Sequence, residues 1–540
     1  MKRFLIGVFT LFIINTSFSQ SIYKDNPKLV VGIVIDQMRY DYLIRFYDKY
    51  GEGGFKRLMN EGYNCKNTHF NYIPTYTAVG HTSIYTGTTP SLHGIIGNDW
   101  YDKELKKKIY CVDDERYATV GAKKGGKKSP YRLQTTTVTD QLKLRFKKDS
   151  KVIGISIKDR AAILPAGHSA NAAYWFRGKK DAKFISSSFY MNELPQWVKD
   201  FNQSNVAKNL LQVWNPLNDI ATYTESISDN NNFEQCFKGE KSPIFPHNLP
   251  KLMKKNGNYD LLKASPFGNT LLEQFAEATI KGEKLGQIKQ TDFLTMSFSS
   301  TDYVGHQYAP DSKEIEDTYL RLDKDLERFL NFLDKQIGQG NYFLFLTADH
   351  AAPSNPSYLK SLKINAGYFN KNEFISYLNE YTNTVFGSSK LIEYFYNNQI
   401  YLNREIIESL KLNYADVLEK IKDKAILFKG VYKAVTSKTL QNTNFTKGVL
   451  SALQNGYNQK YSGDILVEYK PAYLYKKMKG TTHGTSYNYD THVPLLFFGK
   501  GFKKGNTSKY ISITQIAPTI SYLLNIEFPN ASSHNIIEVP

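Results

Sequence analysis

The segment Leu29–Ile35, with the sequence LVVGIVI, ends directly at Asp36. A continuous run of apolar, mostly β-branched residues of this length is typical of a strand buried on both faces of a parallel sheet. Four later segments repeat the pattern, at residues 152–157, 293–298, 342–346 and 493–498. Amphipathic helical patterns lie between them, and the clearest runs from Lys313 to Ile337. Strands that alternate with helices predict a layered α/β core with a largely parallel central sheet.

The composition is that of a globular protein. Of 540 residues, 41% are hydrophobic and 22% are charged, which excludes a collagen, a coiled coil or a largely disordered chain. Lys and Arg outnumber Asp and Glu by 69 to 51, so the net charge is +18. A positive surface favours anionic partners such as phosphate esters, nucleic acid or anionic lipid. A compositional bias towards Lys, Asn and Tyr without a functional target explains the charge equally well.

The N-terminus predicts export. Two basic residues precede an apolar run of 11 residues, Phe4–Ile14. A membrane-spanning helix needs about 20. Ser17 and Ser19 follow in a pattern typical of signal-peptide cleavage. We therefore predict a signal peptide at residues 1–19, cleavage near Ser19, and a periplasmic or secreted mature protein; the alternative is an uncleaved membrane anchor.

The mature chain, residues 20–540, is predicted to form a single domain. Two stretches, about 165–265 and 354–480, are rich in Asn, Tyr and Lys and poor in buried-strand patterns, so we expect insertions that cap the core. An oxidising compartment permits at most one disulfide among the three cysteines. We prefer Cys65 with Cys111, which flank one early segment, and leave Cys236 free, but the sequence does not decide the pairing.

Polar residues cluster where the predicted strands end, which is the edge at which parallel α/β sheets bind ligands. Asp302 and His306 are four residues apart and therefore share one face of a helix. Because several strands each place an acidic, basic or imidazole group at one edge, we predict a ligand-binding site at that edge. In chain order, the residues at these strand ends are Asp36, Lys158, Arg160, Asp302, His306, Asp349, His350 and His483.

Three carboxylates and three imidazoles of this set are candidate metal ligands. Mixed oxygen and nitrogen donors suit Zn²⁺ or a similar divalent ion. Six ligands exceed one tetrahedral site but fit two sites that share a substrate. Two ions about 3.5–4 Å apart form the usual clamp for in-line displacement at phosphorus. The sequence therefore predicts a two-metal centre for phosphoryl chemistry.

The segment IPTYTAVGH, residues 73–81, holds the candidate nucleophile, Thr77. Pro74 favours an extended backbone, after which Thr77 would start a helix. Free backbone N–H groups and the positive end of the helix dipole would then favour a phosphoryl group at this position. Coordination by a metal would lower the pKa of the hydroxyl and make it a better nucleophile. The local sequence alone favours the simpler interpretation that Thr77 is a helix N-cap.

Taken together and in this order, the motifs resemble the alkaline phosphatase superfamily. The resemblance is stronger to its PafA-type periplasmic alkaline phosphatases than to its nucleotide pyrophosphatase/phosphodiesterases, and it runs from about residue 28 to about 525. It implies a three-layer α/β/α core with a largely parallel sheet and capping insertions. The matching motifs are Asp36, Pro74-Thr75-Tyr76-Thr77, LHGIIGN at 92–98, Asp302-x-x-x-His306, Asp349-His350 and His483-Gly484.

The resemblance also implies a role for each residue and two Zn²⁺ per chain. The first zinc would be held by Asp36, Thr77, Asp349 and His350. The second would be held by Asp302, His306 and His483. Asn98, Lys158 and Arg160 would contact the phosphoryl oxygens. The implied route is double displacement, in which Thr77 attacks, a phospho-threonine forms, and hydroxide at the metal centre hydrolyses it.

The pair Lys158 and Arg160 decides the predicted substrate. A phosphate monoester has three non-bridging oxygens to neutralise and a diester has two, so two extra cations favour monoesters. We expect a monomeric enzyme for small phosphate monoesters that requires no nucleic acid and has no membrane span in the mature chain. An alkaline pH optimum is implied only by the resemblance.

Alternatives stay open at this point. Lys158 and Arg160 could be surface charges, and His492 could replace His483 as a ligand. A phosphodiesterase or nucleotide pyrophosphatase on the same scaffold is the second hypothesis for the function. A non-catalytic basic protein that binds phosphorylated glycans or lipids is the third, although it would be expected to lack some metal ligands.

Overall fold

The structure is a computed structural model that describes residues 26–475 and 478–539. Its centre is a ten-stranded sheet. In chain order the strands are β1 (Leu29–Ile35), β2 (Tyr63–Cys65), β3 (Thr119–Val120), β4 (Val152–Ser156), β5 (Ala172–Arg177), β6 (Lys183–Ser187), β7 (Asp292–Phe298), β8 (Tyr342–Thr347), β9 (Leu495–Gly499) and β10 (Gly505–Thr507).

The order of strands in the sheet is β10-β2-β9-β8-β1-β7-β4-β5-β6-β3. The five central strands, β8, β1, β7, β4 and β5, are parallel to one another. Antiparallel strands flank them, because β9 pairs antiparallel with β8 and β6 with β5. Every residue of β1 is buried, as expected for a strand covered on both faces.

Five helices matter for the site: α1 (Thr77–Thr86), α2 (Asp159–Ala166), α3 (Phe267–Glu283), α4 (Ser300–Tyr308) and α5 (Lys313–Leu333). The structure confirms the predicted α/β core with a mostly parallel sheet. The periodic pattern of Lys313–Ile337 forms α5, which the Ser312 hydroxyl caps at its start. The α-helix ends at Leu333, and one wider turn continues to Gly338.

The predicted strand at 493–498 is divided in the structure. Pro494 cannot donate a backbone hydrogen bond, and it separates His492–Val493 from β9. His492–Val493 pairs with Thr68–His69 in a small separate sheet. Only the part after Pro494 joins the central sheet.

The region 165–265 is not entirely an insertion. Two strands within it, β5 and β6, belong to the central sheet. The predicted start of the insertion, at about residue 165, is therefore wrong. Within 354–480 the chain forms a second hydrophobic cluster around a four-stranded sheet. The elements of that unit include strands Ile392–Tyr396, Gln399–Leu402, Val431–Thr436 and Ile465–Tyr469 and helices Lys371–Phe386 and Tyr414–Ile426.

The three cysteines are unpaired in the structure. Cys65 and Cys111 are buried in different hydrophobic clusters, which does not agree with the preferred disulfide between them. The predicted signal peptide at residues 1–19 lies outside the described residues. Within 26–475 and 478–539, helices of the length and apolarity needed to cross a membrane are absent.

Candidate active site

The predicted polar residues meet at the carboxyl edge of the sheet. β8, β1, β7 and β4 are parallel neighbours, so the segments that follow them leave from the same edge. The residues that these segments carry are Asp349 and His350 after β8, Asp36 after β1, Asp302 and His306 in α4 after β7, and Lys158 and Arg160 after β4.

One group of candidate metal ligands contains Asp36, Asp349 and His350. The Nε2 atom of His350 lies 3.6 Å from Oδ1 of Asp36 and 3.5 Å from Oδ2 of Asp349. All three side chains are fully buried, and among the described residues these three atoms have no hydrogen-bond partner. Burial and the charge of Asp349 raise the pKa of Asp36 well above its ordinary value. Converging buried acceptors without donors are the environment in which a divalent cation binds.

The second group contains Asp302, His306 and His483. Oδ1 of Asp302 lies 3.1 Å from Nε2 of His306 and 3.6 Å from Nε2 of His483. Burial alone would raise the pKa of Asp302, but His306 and Lys158 outweigh it and hold that pKa well below its ordinary value. The rings of His350 and His483 stack with centroids 3.5 Å apart, so the two groups adjoin.

The three imidazoles are oriented in the same way. Each Nδ1 lies against a backbone carbonyl oxygen: Thr481 for His306 at 2.8 Å, Ala351 for His350 at 3.1 Å, and Thr75 for His483 at 2.6 Å. A carbonyl oxygen only accepts, so Nδ1 carries the proton and Nε2 faces the carboxylates. This arrangement is usual for histidines that bind metals.

Lys158 lies between the two groups. Its Nζ atom is 2.7 Å from Oδ2 of Asp36 and 2.6 Å from Oδ2 of Asp302. The same atom lies 3.5 Å from Oγ1 of Thr77. Burial would lower the pKa of Lys158, but the carboxylates of Asp302 and Asp36 raise it above its ordinary value. Lys158 is therefore a buried, charged ammonium and not a surface charge.

Thr77 is the first residue of α1. The N-cap is Tyr76, in an extended conformation, so Thr77 does not have the N-cap role that the local sequence favoured. Its side chain is buried. Gly80, one turn further, lies so close to the backbone of Asp349 that a Cβ atom there would be 2.0 Å from the Asp349 oxygen. Glycine thus allows α1 to approach the ligand residues after β8.

Arg160 and Asn98 lie next to Thr77. Nη2 of Arg160 is 3.5 Å from Oγ1 of Thr77, and its Nη1 donates to the Tyr110 hydroxyl at 3.1 Å. Tyr110 in turn donates to Asp159. The amide oxygen of Asn98 accepts from the backbone N–H of Ala78 at 2.9 Å, which places Asn98 beside the start of α1.

Sequence reasoning missed two residues that hold this arrangement together. Gln37 donates its side-chain amide to Asp302 at 2.6 Å and its backbone N–H to Asp349 at 3.1 Å, and so links the two groups. Tyr110 fixes Arg160. Gln37 adjoins Asp36 in the sequence, which could have suggested it, but no spacing pattern connects Tyr110 with Arg160.

Two of the remaining histidines contact residues outside the two groups, and His81 adjoins the first group. His492, the alternative to His483, stacks on Tyr40 and His69 and is near Lys66, not near Asp302. His93 contacts the Ser83 hydroxyl, and burial lowers its pKa to about 3. His81 belongs to α1, with Nδ1 3.3 Å from Oδ2 of Asp349 and Nε2 2.9 Å from the Ser297 hydroxyl.

A cavity of about 240 Å³ opens beside His483 and Tyr76. Its outer wall comes from the unit within 354–480. The residues that line it include Lys371, Phe395, Tyr396, Tyr469 and Tyr473. The cavity is therefore aromatic, with one ammonium group at its wall.

The comparisons with known proteins agree with this geometry. A family model described as type I phosphodiesterase / nucleotide pyrophosphatase matches residues 30–493. The chain is 47% identical over 514 residues to a Myroides odoratus protein named calcium-transporting ATPase, covering 94% of this chain and 93% of the relative. It is 45% identical over 542 residues to alkaline phosphatase PafA of Elizabethkingia meningoseptica, covering 98% and 97%.

A crystal structure of wild-type alkaline phosphatase PafA has the same fold, with a TM-score of 0.91 and 46% identity over 95% of this chain and 98% of that one. This fold, with two groups of Asp and His residues beside a threonine at the start of a helix, is that of the alkaline phosphatase superfamily. The sequence motifs predicted the same superfamily. Within that superfamily, the chain belongs to the type I phosphodiesterase / nucleotide pyrophosphatase family and resembles its PafA-type alkaline phosphatases.

Proposed function

We propose that this protein is a secreted, zinc-dependent alkaline phosphatase that hydrolyses phosphate monoesters through a phospho-threonine at Thr77. Membership of the phosphoric monoester hydrolases rests on the identity to alkaline phosphatase PafA over almost the whole chain. The observation that carries the mechanism is the position of Oγ1 of Thr77, 3.5 Å from both Lys158 and Arg160 and beside the two ligand groups.

The residues fit two divalent cations, because buried acceptors of the first group have no donor among the described residues. Oxygen and nitrogen donors in this combination suit Zn²⁺. When bound, the ions would stabilise the charge on the attacking and leaving oxygens. We assign Asp36, Thr77, Asp349 and His350 to the first ion and Asp302, His306 and His483 to the second.

The chain's own groups position the phosphoryl group. In the first step Oγ1 of Thr77 bonds to phosphorus while the ester P–O bond breaks and the alcohol leaves. In the second step water attacks the phospho-threonine, which releases inorganic phosphate and restores Thr77. A phosphoryl group joined to Oγ1 would lie against Lys158 and Arg160, whose charges match a monoester dianion. Asn98 and the start of α1 supply further N–H donors.

Two observations favour a second candidate, a phosphodiesterase or nucleotide pyrophosphatase on the same scaffold. The matching family model carries that description. The aromatic cavity beside His483 has the size and lining that an organic group on the far side of the phosphate would need. Lys158 and Arg160 argue against it, because a diester has fewer charged oxygens for them to bind.

The test compares kcat/KM for p-nitrophenyl phosphate and bis-p-nitrophenyl phosphate with zinc present. We expect the mature protein to prefer the monoester. Lys158→Ala and Arg160→Ala should each lower monoester kcat/KM by about 10²–10³, the usual cost of removing a group that binds developing charge, and diester kcat/KM by less. Equal losses on both substrates would contradict the substrate assignment, and a wild-type preference for the diester would establish the second candidate instead.

A further inference from the structure

The aromatic cavity beside His483 adjoins the second ligand group. Tyr76, His483 and Gly484 line it on the side of the active site, and the unit within 354–480 lines it on the other side. Its volume is about 240 Å³. An apolar cavity of about 150 Å³ is large enough to bind benzene, so this one has room for a benzene ring with a substituent.

The outer wall of the cavity is fixed beside Asn98. A β-hairpin of the unit within 354–480 reaches the cavity with Tyr396 and Asn397 at its turn. The Tyr396 hydroxyl donates to the carboxylate of Asp99, and the Asn397 amide donates to the Asp99 carbonyl oxygen at 2.7 Å. A Cβ atom at Gly97 would be 2.6 Å from Nδ2 of Asn397, so glycine allows this close approach. The hairpin is therefore held against the segment that carries Asn98.

Lys371 places a positive charge at the wall of the cavity. Among the described residues that line the cavity, none is acidic. Nζ of Lys371 lies over the rings of Tyr394 and Tyr396, 5.3 Å and 5.9 Å from their centroids. Burial and the charge of Lys108, which is itself paired with Asp99 at 2.6 Å, lower the pKa of Lys371. An anion in the cavity would compensate both effects, because an opposite charge favours the charged form of the ammonium.

The position of the cavity associates it with the leaving group of the reaction. In an in-line displacement the attacking and leaving oxygens lie on opposite sides of phosphorus. In the proposed mechanism Oγ1 of Thr77 attacks beside the first ligand group, so the second group, with His483, faces the leaving oxygen. The cavity adjoins His483, and the alcohol of the ester would therefore extend into it. This step rests on the proposed function.

We propose that the cavity binds the alcohol of the phosphate monoester and selects alcohols that combine a planar ring with a negatively charged substituent. The ring would pack against the tyrosine side chains of the wall, and Lys371 would bind the charged substituent. Tyr475, which is 46% exposed, offers an accessible aromatic ring at the cavity. Lys371 and Tyr475 are then residues that determine specificity, and they are separate from the residues assigned to the phosphoryl oxygens.

The test measures ligand binding to the whole, zinc-loaded protein by calorimetric titration near neutral pH. The probes are phenylphosphonate and 4-phosphonobenzoate, which differ by one carboxylate and have no ester bond for the proposed reaction to break. We expect 4-phosphonobenzoate to bind about tenfold more tightly, as for one hydrogen bond to a charged group. Methylphosphonate, which has no ring, should bind more weakly than either.

Lys371→Met should remove the preference for 4-phosphonobenzoate and leave the affinity for phenylphosphonate unchanged, because only the carboxylate contacts the ammonium. Lys424→Met is the matched control. Nζ of Lys424 lies 4.3 Å from the ring centroid of Tyr377, on the same unit but outside the cavity, and this variant should keep the preference. Tyr475→Ala should weaken the binding of both aryl phosphonates but not that of methylphosphonate.

Equal or absent binding of the two aryl phosphonates would overturn the proposal, as would an unchanged preference in Lys371→Met. Loss of the preference in Lys424→Met as well would assign it to the general positive charge of the chain, and this result would also overturn the proposal. Turnover of phenyl phosphate, measured separately, tests the proposed function. The expected binding of the phosphonates without any turnover would refute the phosphatase activity and not the preference of the cavity.

Discussion

The two buried groups of carboxylates in this protein differ in what surrounds them. In the active site, the carboxylates face imidazole Nε2 atoms, because the proton of each ring is on Nδ1 and points to a backbone carbonyl. Lys158 lies between two of these carboxylates, Asp36 and Asp302. In the second group, which we call the acidic cluster, the single imidazole, His247, is bound at both nitrogens. Among the described residues, four carboxylate oxygens of this cluster have no hydrogen-bond partner; its members are Asp229, Glu234, Glu240, Asp311 and Glu314.

The comparison teaches that buried acidic groups are compensated in two ways. In the active site, Lys158 and the imidazoles face the carboxylates, whereas in the acidic cluster burial and neighbouring carboxylates raise the pKa of Glu234 to about 10, which favours its neutral form.

The two groups are also close along the chain. α4 carries Asp302 and His306, and Asp311 and Glu314 follow within the next turn of the chain and the start of α5. One short segment therefore contributes to a site of mixed donors and to a cluster of oxygens. Changes that affect one group without the other are the sharpest tests of the distinction.

The largest effect is expected from Thr77→Ala. Without the attacking oxygen, monoester kcat/KM should fall by several powers of ten, as for the loss of other essential nucleophiles. The Tm should change little, because the contacts of Oγ1 with Lys158 and Arg160 are long, at 3.5 Å. Thr82→Ala, in the same helix and equally buried, is the control and should retain most activity. Full turnover in Thr77→Ala would refute the proposed mechanism.

A smaller effect is expected from Tyr110→Phe. The hydroxyl links Arg160 to Asp159, so its loss frees the guanidinium without removing it. Monoester kcat/KM should fall about tenfold, which corresponds to one hydrogen bond to a charged group. Steady-state kinetics on p-nitrophenyl phosphate measure the change.

Tyr190→Phe is the matched control for this variant, because the Tyr190 hydroxyl is buried and has no hydrogen-bond partner within 26–475 and 478–539. It should leave kcat/KM unchanged. A similar loss in both variants would show that packing, and not the position of Arg160, explains the effect of Tyr110→Phe.

The smallest effect is expected from Asp140→Asn, which changes a buried carboxylate that protein groups satisfy. Its oxygens accept from the backbone of Thr137 and Ser169 and contact His168 at 3.1 Å. The free energy of unfolding should fall by about 1–3 kcal/mol at pH 6, because the charged partner of His168 is lost. An unchanged free energy of unfolding in Asp140→Asn would contradict the stabilising role of this carboxylate.

The pH dependence of the Asp140→Asn effect follows from the contact between Asp140 and His168. Burial would raise the pKa of Asp140, but the interaction with His168 outweighs burial and lowers that pKa. The contribution of Asp140 to the free energy of unfolding is therefore present above pH 3.8 and is lost as the pH falls through the lowered pKa. Burial would lower the pKa of His168, but Asp140 raises it above 6.5, so its stabilisation is lost as the pH rises through the raised value. Urea unfolding should therefore show a larger difference between wild type and Asp140→Asn at pH 6 than at pH 9.

Much of the candidate site could be predicted because it follows from strand ends. Apolar runs of β-branched residues mark buried parallel strands, and the next polar residue must lie at the carboxyl edge. That reasoning led to Asp36, Lys158, Asp302 and Asp349, which the structure brings together. The strands β5 and β6 were missed because they fall in a region rich in polar residues, where a short apolar run such as Ala172–Arg177 does not stand out.

The acidic cluster could not be predicted from the sequence. Its residues extend from Asp229 to Glu314 without a repeated spacing, and each acidic residue alone looks like a solvated surface charge. Glu314 even lies in the first turn of α5, where acidic residues are common because they complement the helix dipole. Only the packing of the 228–240 loop against α5 removes these carboxylates from water.

The sequence by itself determined the parallel α/β core, the edge where the ligands lie and the helix start at Thr77, because hydrophobic periodicity and chain direction are local properties. The tertiary structure decided which nitrogen of each histidine faces inward, that Lys158 bridges Asp36 and Asp302, and that Tyr110 holds Arg160. It also decided which carboxylates are left without donors in the part of the chain that the structure describes. Each of these features depends on the distance between residues that are far apart in the chain and on how deeply they are buried. Interaction energies depend on distance and burial, and not on residue type alone.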